Sequence, residues 1–200
     1  MRHLVITIGC EYGAKGNAIG RKIAEDLNIK FYNRELVDEI IEEVGIPKEI
    51  MEKVEEGGTI AGKGAEGDVR GSFSKYADLT DRAIHVQKQI IRKLAEKESC
   101  VIIGRCANMI LKDYSNVLRV FVYGDWDFRI REASKKLSGT TKDIEKFMQK
   151  DDKRKEDFCK RFMGVDWADM TKYNLCLDNG TLGYEKCVEE IESALEILKK

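Results

Sequence analysis

The sequence predicts an α/β fold, a five-stranded parallel sheet with helices on both faces. Five short apolar, β-rich runs recur along the chain: LVITI (4–8), KFY (30–32), CVIIG (100–104), VLRVFVY (117–123) and YNLCLD (173–178). Helical periodicity fills several of the intervals between them. Parallel strands need long return connections that lie across the sheet, so this alternation implies a sheet sandwiched between helices. At 200 residues the chain is long enough for a substantial core in one domain, 1–200.

The elements follow in order. LVITI leads through a glycine turn into AIGRKIAEDL, whose Ile19, Ile23 and Leu27 share one helix face. KFY is a brief second strand, and EIMEKVEE is helical in character. Six glycines between Gly57 and Phe73 argue against a rigid packed element, so residues 55–73 are expected to form a flexible glycine-rich segment. From about Tyr76 to Lys97 an apolar stripe of Leu79, Ala83, Val86, Ile90 and Leu94 marks a long helix feeding CVIIG, a central strand. Residues 126–167 form a charged helical region between two core strands, containing REASKKL and DDKRKEDFCKRF, and are expected to be a helical lid. The last helix aligns Tyr184, Val188, Ile191, Leu195 and Leu198.

Composition narrows the function. A net charge of −1 gives no basic field for nucleic acid, which leaves small anionic ligands that need only a local cluster of Arg and Lys. The six cysteines are scattered without a CxxC pair, and only two histidines accompany them, so a metal site is not expected and the thiols read as reduced. The N-terminus reaches an apolar strand at once, without a secretory signal, and no run has membrane-spanning length. A cytoplasmic protein with no membrane or nucleic-acid partner is expected.

The stretch GCEYGAKGNAIG has the setting of a phosphate-binding loop, in which glycine-freed N–H groups converge on phosphate beside a helix N-terminus. Laid on the usual GxxxxGK followed by Ser or Thr, Cys10 takes the first glycine, Lys15 the second, Gly16 the lysine and Asn17 the hydroxyl. The candidate phosphate contacts are therefore Gly13, Ala14, Lys15, Gly16, Asn17 and Ala18. Lys15 either reaches a phosphate from one position early or is a solvated surface residue. Asn17 either orients magnesium-bound water or caps the helix, with capping preferred. Arg21 and Lys22 read as exposed helix charges. GGTIAGK (57–63) matches the same spacing, but it follows a helix rather than a strand, so Lys63 is read as accidental. The glycines at 9, 13, 16 and 20 do not give the dinucleotide fingerprint GxGxxG.

EYGAKGNAIGRKIAEDLNIKFYNREL, VIIGRCANMIL, DDKRKEDFCKRFMGVDWAD and YNLCLDNGTLG, in this order, resemble the cytidylate kinase-like family, a branch of the P-loop nucleoside monophosphate kinase group. The resemblance implies a P-loop kinase-like three-layer fold and transfer of the ATP γ-phosphoryl, with Mg2+, to a small phosphorylated acceptor, most simply a (d)CMP-type monophosphate. It makes Gly16 a trait of the branch and Lys15, standing for a glycine, a departure. It places residues 55–73 on the acceptor side.

Such chemistry is positioning and charge neutralisation, so arginines matter most. By the resemblance, Arg105 at a strand end is an acceptor-phosphate ligand and Arg34 a second, with Asn33 replacing an acid. Strand C-terminal edges are where open α/β sheets bind ligands, which independently favours Arg105. Arg129 and Arg131 match the start of the lid, and Asp151 and Arg154 its DxxR element. Arg129, Asp151 and Arg154 are the catalytic candidates, against a reading as helix ion pairs that suits Lys153 and Arg161. Asp178, with Asn179, matches the loop near adenine, and an Asp-Asn-Gly turn accounts for it equally well. Trp126 and Trp167 read as packing residues, and His3 and His85 receive no role. A nucleotide-binding protein that has lost turnover is the competing reading, because the lysine-hydroxyl pair is missing.

Overall fold

The computed structural model describes residues 3–55 and 69–198. All five expected strands form: β1 Val5–Cys10, β2 Lys30–Tyr32, β3 Cys100–Ile103, β4 Val117–Tyr123 and β5 Leu175–Asp178. They make one parallel sheet in the order β2-β3-β1-β4-β5. The central strand β1 pairs Val5 with Cys100 on one side and with Val117 on the other. Chain order reverses at β1, which places its C-terminal end at the switch point where such sheets bind ligands, with the end of β3 beside it.

Alternation along β1 sorts the core. Ile6 and Ile8 face α1 (Gly16–Asp26) and α9 (Tyr184–Leu198), where Ile19, Ile23, Val188, Ile191 and Leu195 meet Val120 and Leu177. Val5 faces α4 (Val69–Lys97) and α5 (Ala107–Ile110), packing with Ile91, Ala95, Ile102, Ile110 and Leu111. Beyond α4 lie α2 (Arg34–Glu43) and α3 (Lys48–Glu55), joined through Val37, Ile41, Met51, Ala83 and Ile90. Gly20 lets α1 pack closely on the sheet, because a Cβ there would stand 2.6 Å from the Ile103 Cδ1 methyl, which would have to shift.

The charged region becomes two helices, α6 (Trp126–Ala133) and α7 (Thr141–Met163). Thr140 and Asp143 form a reciprocal capping box at the start of α7, and Gly164 ends it in a left-handed conformation. A short α8 (Asn179–Leu182) follows β5. The expected loop through Phe73 is too long, since Val69–Phe73 already belong to α4. The rest of the glycine-rich segment, with Lys63, lies outside the described residues.

The cysteines also depart from expectation. Cys106 and Cys159 are joined by a disulfide with a Cα–Cα distance of 6.3 Å, while Cys10, Cys100, Cys176 and Cys187 are thiols. Spacing in sequence gives no hint of this pairing, which arises only when α7 folds back over the start of α5. The bridge joins residues 53 apart, and the chain-entropy model assigns such a cross-link about 4 kcal/mol. Burial pushes the Cys100 thiol up to about 12 and the Cys187 thiol up to about 11.

Thiol titration in denaturant is accordingly expected to find four thiols without reductant and six with it. Reduction should lower the unfolding free energy by up to about 4 kcal/mol. Six thiols in the unreduced, air-exposed protein would disprove the bridge.

Candidate active site

The turn between β1 and α1 is rebuilt around a steric exchange. A Cβ on Gly16 would lie 2.5 Å from Cys10 Cβ and 2.7 Å from its Sγ, so no side chain fits at position 16 while cysteine occupies position 10. Gly13 has φ +84°, and a Cβ there would stand 2.5 Å from the Arg129 carbonyl oxygen. Lys15 also takes a left-handed conformation, φ +64°, at the N-cap of α1. That conformation suits glycine and costs roughly 1 kcal/mol for other residues. Buried Asn179, on α8, donates to the Ala14 carbonyl at 2.9 Å and ties the turn to the end of β5.

Asn17 is exposed in the first turn of α1 and does not cap it; the cap position belongs to Lys15, which makes no side-chain cap bond. The capping role expected for Asn17 is therefore wrong. The Lys15 ammonium is engaged by Glu132 at 3.8 Å and lies 4.9 Å from the Tyr184 ring centre. Arg21 lies over Phe31, and Lys22 pairs with Asp26, as exposed helix charges do.

Against the other side of the turn lies an ion network from α6 and α7. Buried Arg129 donates from Nε to the Tyr12 carbonyl at 2.8 Å, pairs through Nη2 with Asp152, and stands 3.3 Å from Glu11 through Nη1. Asp152 also accepts from the Tyr12 N–H at 2.8 Å. Glu11 accepts from the Gly124 N–H at 3.2 Å; burial raises its pKa, and Arg129 offsets only part of that rise. Lys155 donates to the Cys10 carbonyl at 3.1 Å and approaches Asp151 at 2.8 Å and Asp152 at 3.3 Å. Burial opposes ionisation of Asp151, and Lys155 with Arg154 outweighs it, so its pKa lies below the ordinary carboxylate value.

The third part is the end of β3. Gly104, Arg105 and Cys106 have φ of +70°, +55° and +50°, three left-handed residues in succession, two of them not glycine. Strain of this kind persists only where the surroundings impose it, and it concentrates at functional sites. Buried Arg105 pairs through Nη2 with Asp38 of α2, and its Nη1 donates to Gln87 of α4 at 3.4 Å. Burial pulls its pKa down to about 10 although Asp38 opposes this. Arg34 lies 3.7 Å from the same Asp38, one helical turn back.

Arg34, Arg105, Arg154 and Lys155 line one cavity of about 140 Å3 between the ends of β1 and β3 and α7, with Cys10, Asn108 and Trp167. A wider cleft of about 660 Å3 adjoins it, sharing Arg34 and Arg154 and reaching Glu52 and Phe147. Among the described residues no three His, Cys, Asp or Glu side chains gather as a metal site.

Of the residues singled out from sequence, Arg34, Arg105 and Arg154 share this cavity, and Asp151 holds Arg154 at 2.7 Å. Arg129 stands outside it, braced on the turn. Arg131 is exposed over Phe128. Asp178 caps α8, accepting from Gly180 at 2.9 Å and Thr181 at 3.3 Å, and Asn33 caps α2. Sequence reasoning missed Glu11, Asp38, Asp152 and Lys155, whose charges looked like ordinary helix-surface or turn charges. The only available signal was their spacing: Asp38 is four residues after Arg34, and Lys155 four after Asp151.

Residues 5–181 match the model of the cytidylate kinase-like family. A cytidylate kinase from Archaeoglobus fulgidus is 28% identical over 132 residues, covering 64% of this chain and 70% of that protein. Among solved structures, an uncharacterised protein from Eubacterium ventriosum is 26% identical, with a TM-score of 0.75 over 97% of this chain and 99% of that one. A shikimate kinase from Bacteroides thetaiotaomicron, 16% identical, matches in fold with a TM-score of 0.53 over 96% of this chain and 98% of its own. The three-layer α/β architecture is that of the P-loop kinases. With its rebuilt turn, strand-end arginines and the helices α6 and α7 packed against the turn, the chain is a nucleoside monophosphate kinase-like phosphotransferase, and it belongs to the cytidylate kinase-like family.

Proposed function

We propose that this protein transfers the γ-phosphoryl group of ATP, supplied as its magnesium complex, to a small phosphorylated acceptor, most simply a (d)CMP-type nucleoside monophosphate. The observation that carries this reading is the convergence of Arg34, Arg105, Arg154 and Lys155 on one cavity beside the N-terminus of α1. The archaeal cytidylate kinase relative supports the choice of acceptor.

In this reading the backbone N–H groups from Gly13 to Ala18 hold the donor phosphates, since α1 has no side-chain cap competing for them. Arg105 and Arg34, pre-set by Asp38, take the acceptor phosphate. Its nucleoside enters along the wider cleft, and Arg154, aligned by Asp151, neutralises the group in flight. The small cavity is below the roughly 300 Å3 of a small-molecule pocket, so α7 moves to admit substrate. Arg129 acts by bracing the turn rather than by touching phosphate. Magnesium arrives with the nucleotide phosphates, and Asp178 acts through the α8 cap beside the adenine.

The chain is taken to work as a single domain in the cytoplasm, without nucleic-acid or membrane partners; its near-zero net charge supports the former exclusion. Among the described residues no helix is long and apolar enough to cross a membrane. One observation favours the second reading, a nucleotide-binding protein without turnover: the Cys10–Gly16 contact bars a lysine from position 16.

Purified protein with ATP, Mg2+ and a panel of monophosphates is expected to release ADP, fastest with a pyrimidine acceptor. Nucleotide binding without ADP release would select the second reading. Arg34→Met should raise the acceptor KM about tenfold or more, the worth of a charge-assisted phosphate contact, while leaving the ATP KM unchanged. Lys15→Gly should leave ATP affinity within about threefold, because the ammonium is turned toward Glu132 and the replacement relieves left-handed strain of roughly 1 kcal/mol. A tenfold loss measured by calorimetry would instead make Lys15 a phosphate ligand.

A further inference from the structure

The phosphate turn has no lysine at position 16, and Lys15 is directed elsewhere, so the positive charge that usually meets the outer phosphates has to come from another element. We infer that Lys155, on the lid helix α7, supplies it and contacts the phosphoryl group in flight. This rests on the proposed phosphoryl transfer and names the residue that takes over the missing charge.

Four observations converge on Lys155. Its ammonium sits 3.1 Å from the carbonyl of Cys10, the residue at the first-glycine position of the turn, so it bridges from the lid to the cradle itself. It lines the same cavity as Arg34, Arg105 and Arg154, between the donor turn and the acceptor arginines. Its Nζ also lies over two aromatic rings, 5.3 Å from the Trp167 ring centre and 5.9 Å from that of Tyr12. Its counter-charges, Asp151 and Asp152, belong to its own helix at i−4 and i−3 and travel with it.

The charge state suits the task. Burial pulls the ammonium's pKa down, but its charged neighbours, the Asp151 and Asp152 carboxylates among them, more than offset it, and the value stands above that of an ordinary lysine. Lys155 is therefore a permanent cation at neutral pH and acts by neutralising charge, not by moving a proton. Three hydrogens on Nζ face three oxygen partners, and an incoming phosphate oxygen takes the place of one carboxylate. The Asp152 released is still held by Arg129 and the Tyr12 N–H. Arg154 is adjacent in sequence and lines the same cavity, so one movement of α7 brings both cations to the phosphate.

The test compares a β,γ-imido ATP analogue with ADP by calorimetry, since only the analogue carries a third phosphate. In the parent protein the analogue is expected to bind at least as tightly as ADP. In Lys155→Met the analogue should weaken about tenfold or more with ADP affinity within about threefold, and kcat should fall about 100-fold with the acceptor KM unchanged. Lys155→Arg should recover part of both. Because Met leaves the two carboxylates without their cation, folding is checked by circular dichroism. Should Lys155→Met not fold, the Lys155→Arg and Lys155→Gln proteins carry the same comparison, Arg lying nearer the parent and Gln nearer the expected loss. Equal weakening of analogue and ADP, or none, with a folded variant overturns the role of Lys155 while the parent's turnover stands. A parent that binds neither nucleotide overturns the phosphotransfer reading and the role of Lys155 together.

Discussion

Asp152 is the constraint on which the catalytic edge of this molecule depends. Its carboxylate meets the Arg129 guanidinium, the Tyr12 N–H and the Lys155 ammonium, joining α7, α6 and the turn after β1 at one point. A partly buried carboxylate is tolerable only with such partners, and each partner in turn has few alternatives. Gly13 packs directly on the Arg129 backbone, so the shape of the turn and the position of α6 are set together. The disulfide fixes α7 one helical turn further on, where Cys159 follows Lys155 by four residues. On the proposed function, binding nucleotide here means exchanging internal ion pairs for phosphate rather than filling a waiting, empty cradle.

A second clamp operates across the sheet edge. Asp38 reaches both Arg34 and Arg105, holding two cations near one another in a region from which burial would expel charge. The left-handed run at Gly104–Cys106 turns the chain sharply so that Arg105 enters this clamp and Cys106 faces α7. Backbone strain, a buried ion pair and a cross-link thus occupy three consecutive residues, which is the concentration of local cost found where geometry is dictated by a ligand.

The sheet was legible in the sequence because each strand is a short apolar run between turn residues, and β1, β3 and β4 are buried on both faces. The helices were legible from their stripes, with Ile19 and Ile23 or Val188, Ile191 and Leu195 meeting the sheet as the spacing required. The strand-end arginines could be found because topology and motif both point to them. Asp38, Asp152 and Lys155 could not: on a helix rich in charge, periodicity does not tell a surface ion pair from one folded against another element. Asn17 misled for a related reason, since it would be a cap only if the helix began at Ala18, two residues later than it does. The Cys106–Cys159 bridge depends wholly on how α7 crosses α5, which no spacing encodes.

The Cys10–Gly16 contact also limits how the turn can be changed. With cysteine at position 10 there is no room for a side chain at 16, so replacing Gly16 by lysine alone would push the turn off α1 rather than restore an ordinary phosphate loop. Cys10 would have to shrink to glycine first, and on the reading above that intermediate gains nothing while the lid already carries the charge. The two positions are coupled by this contact, and on the proposed role of Lys155 a change at Cys10 alone restores nothing that α7 does not already supply.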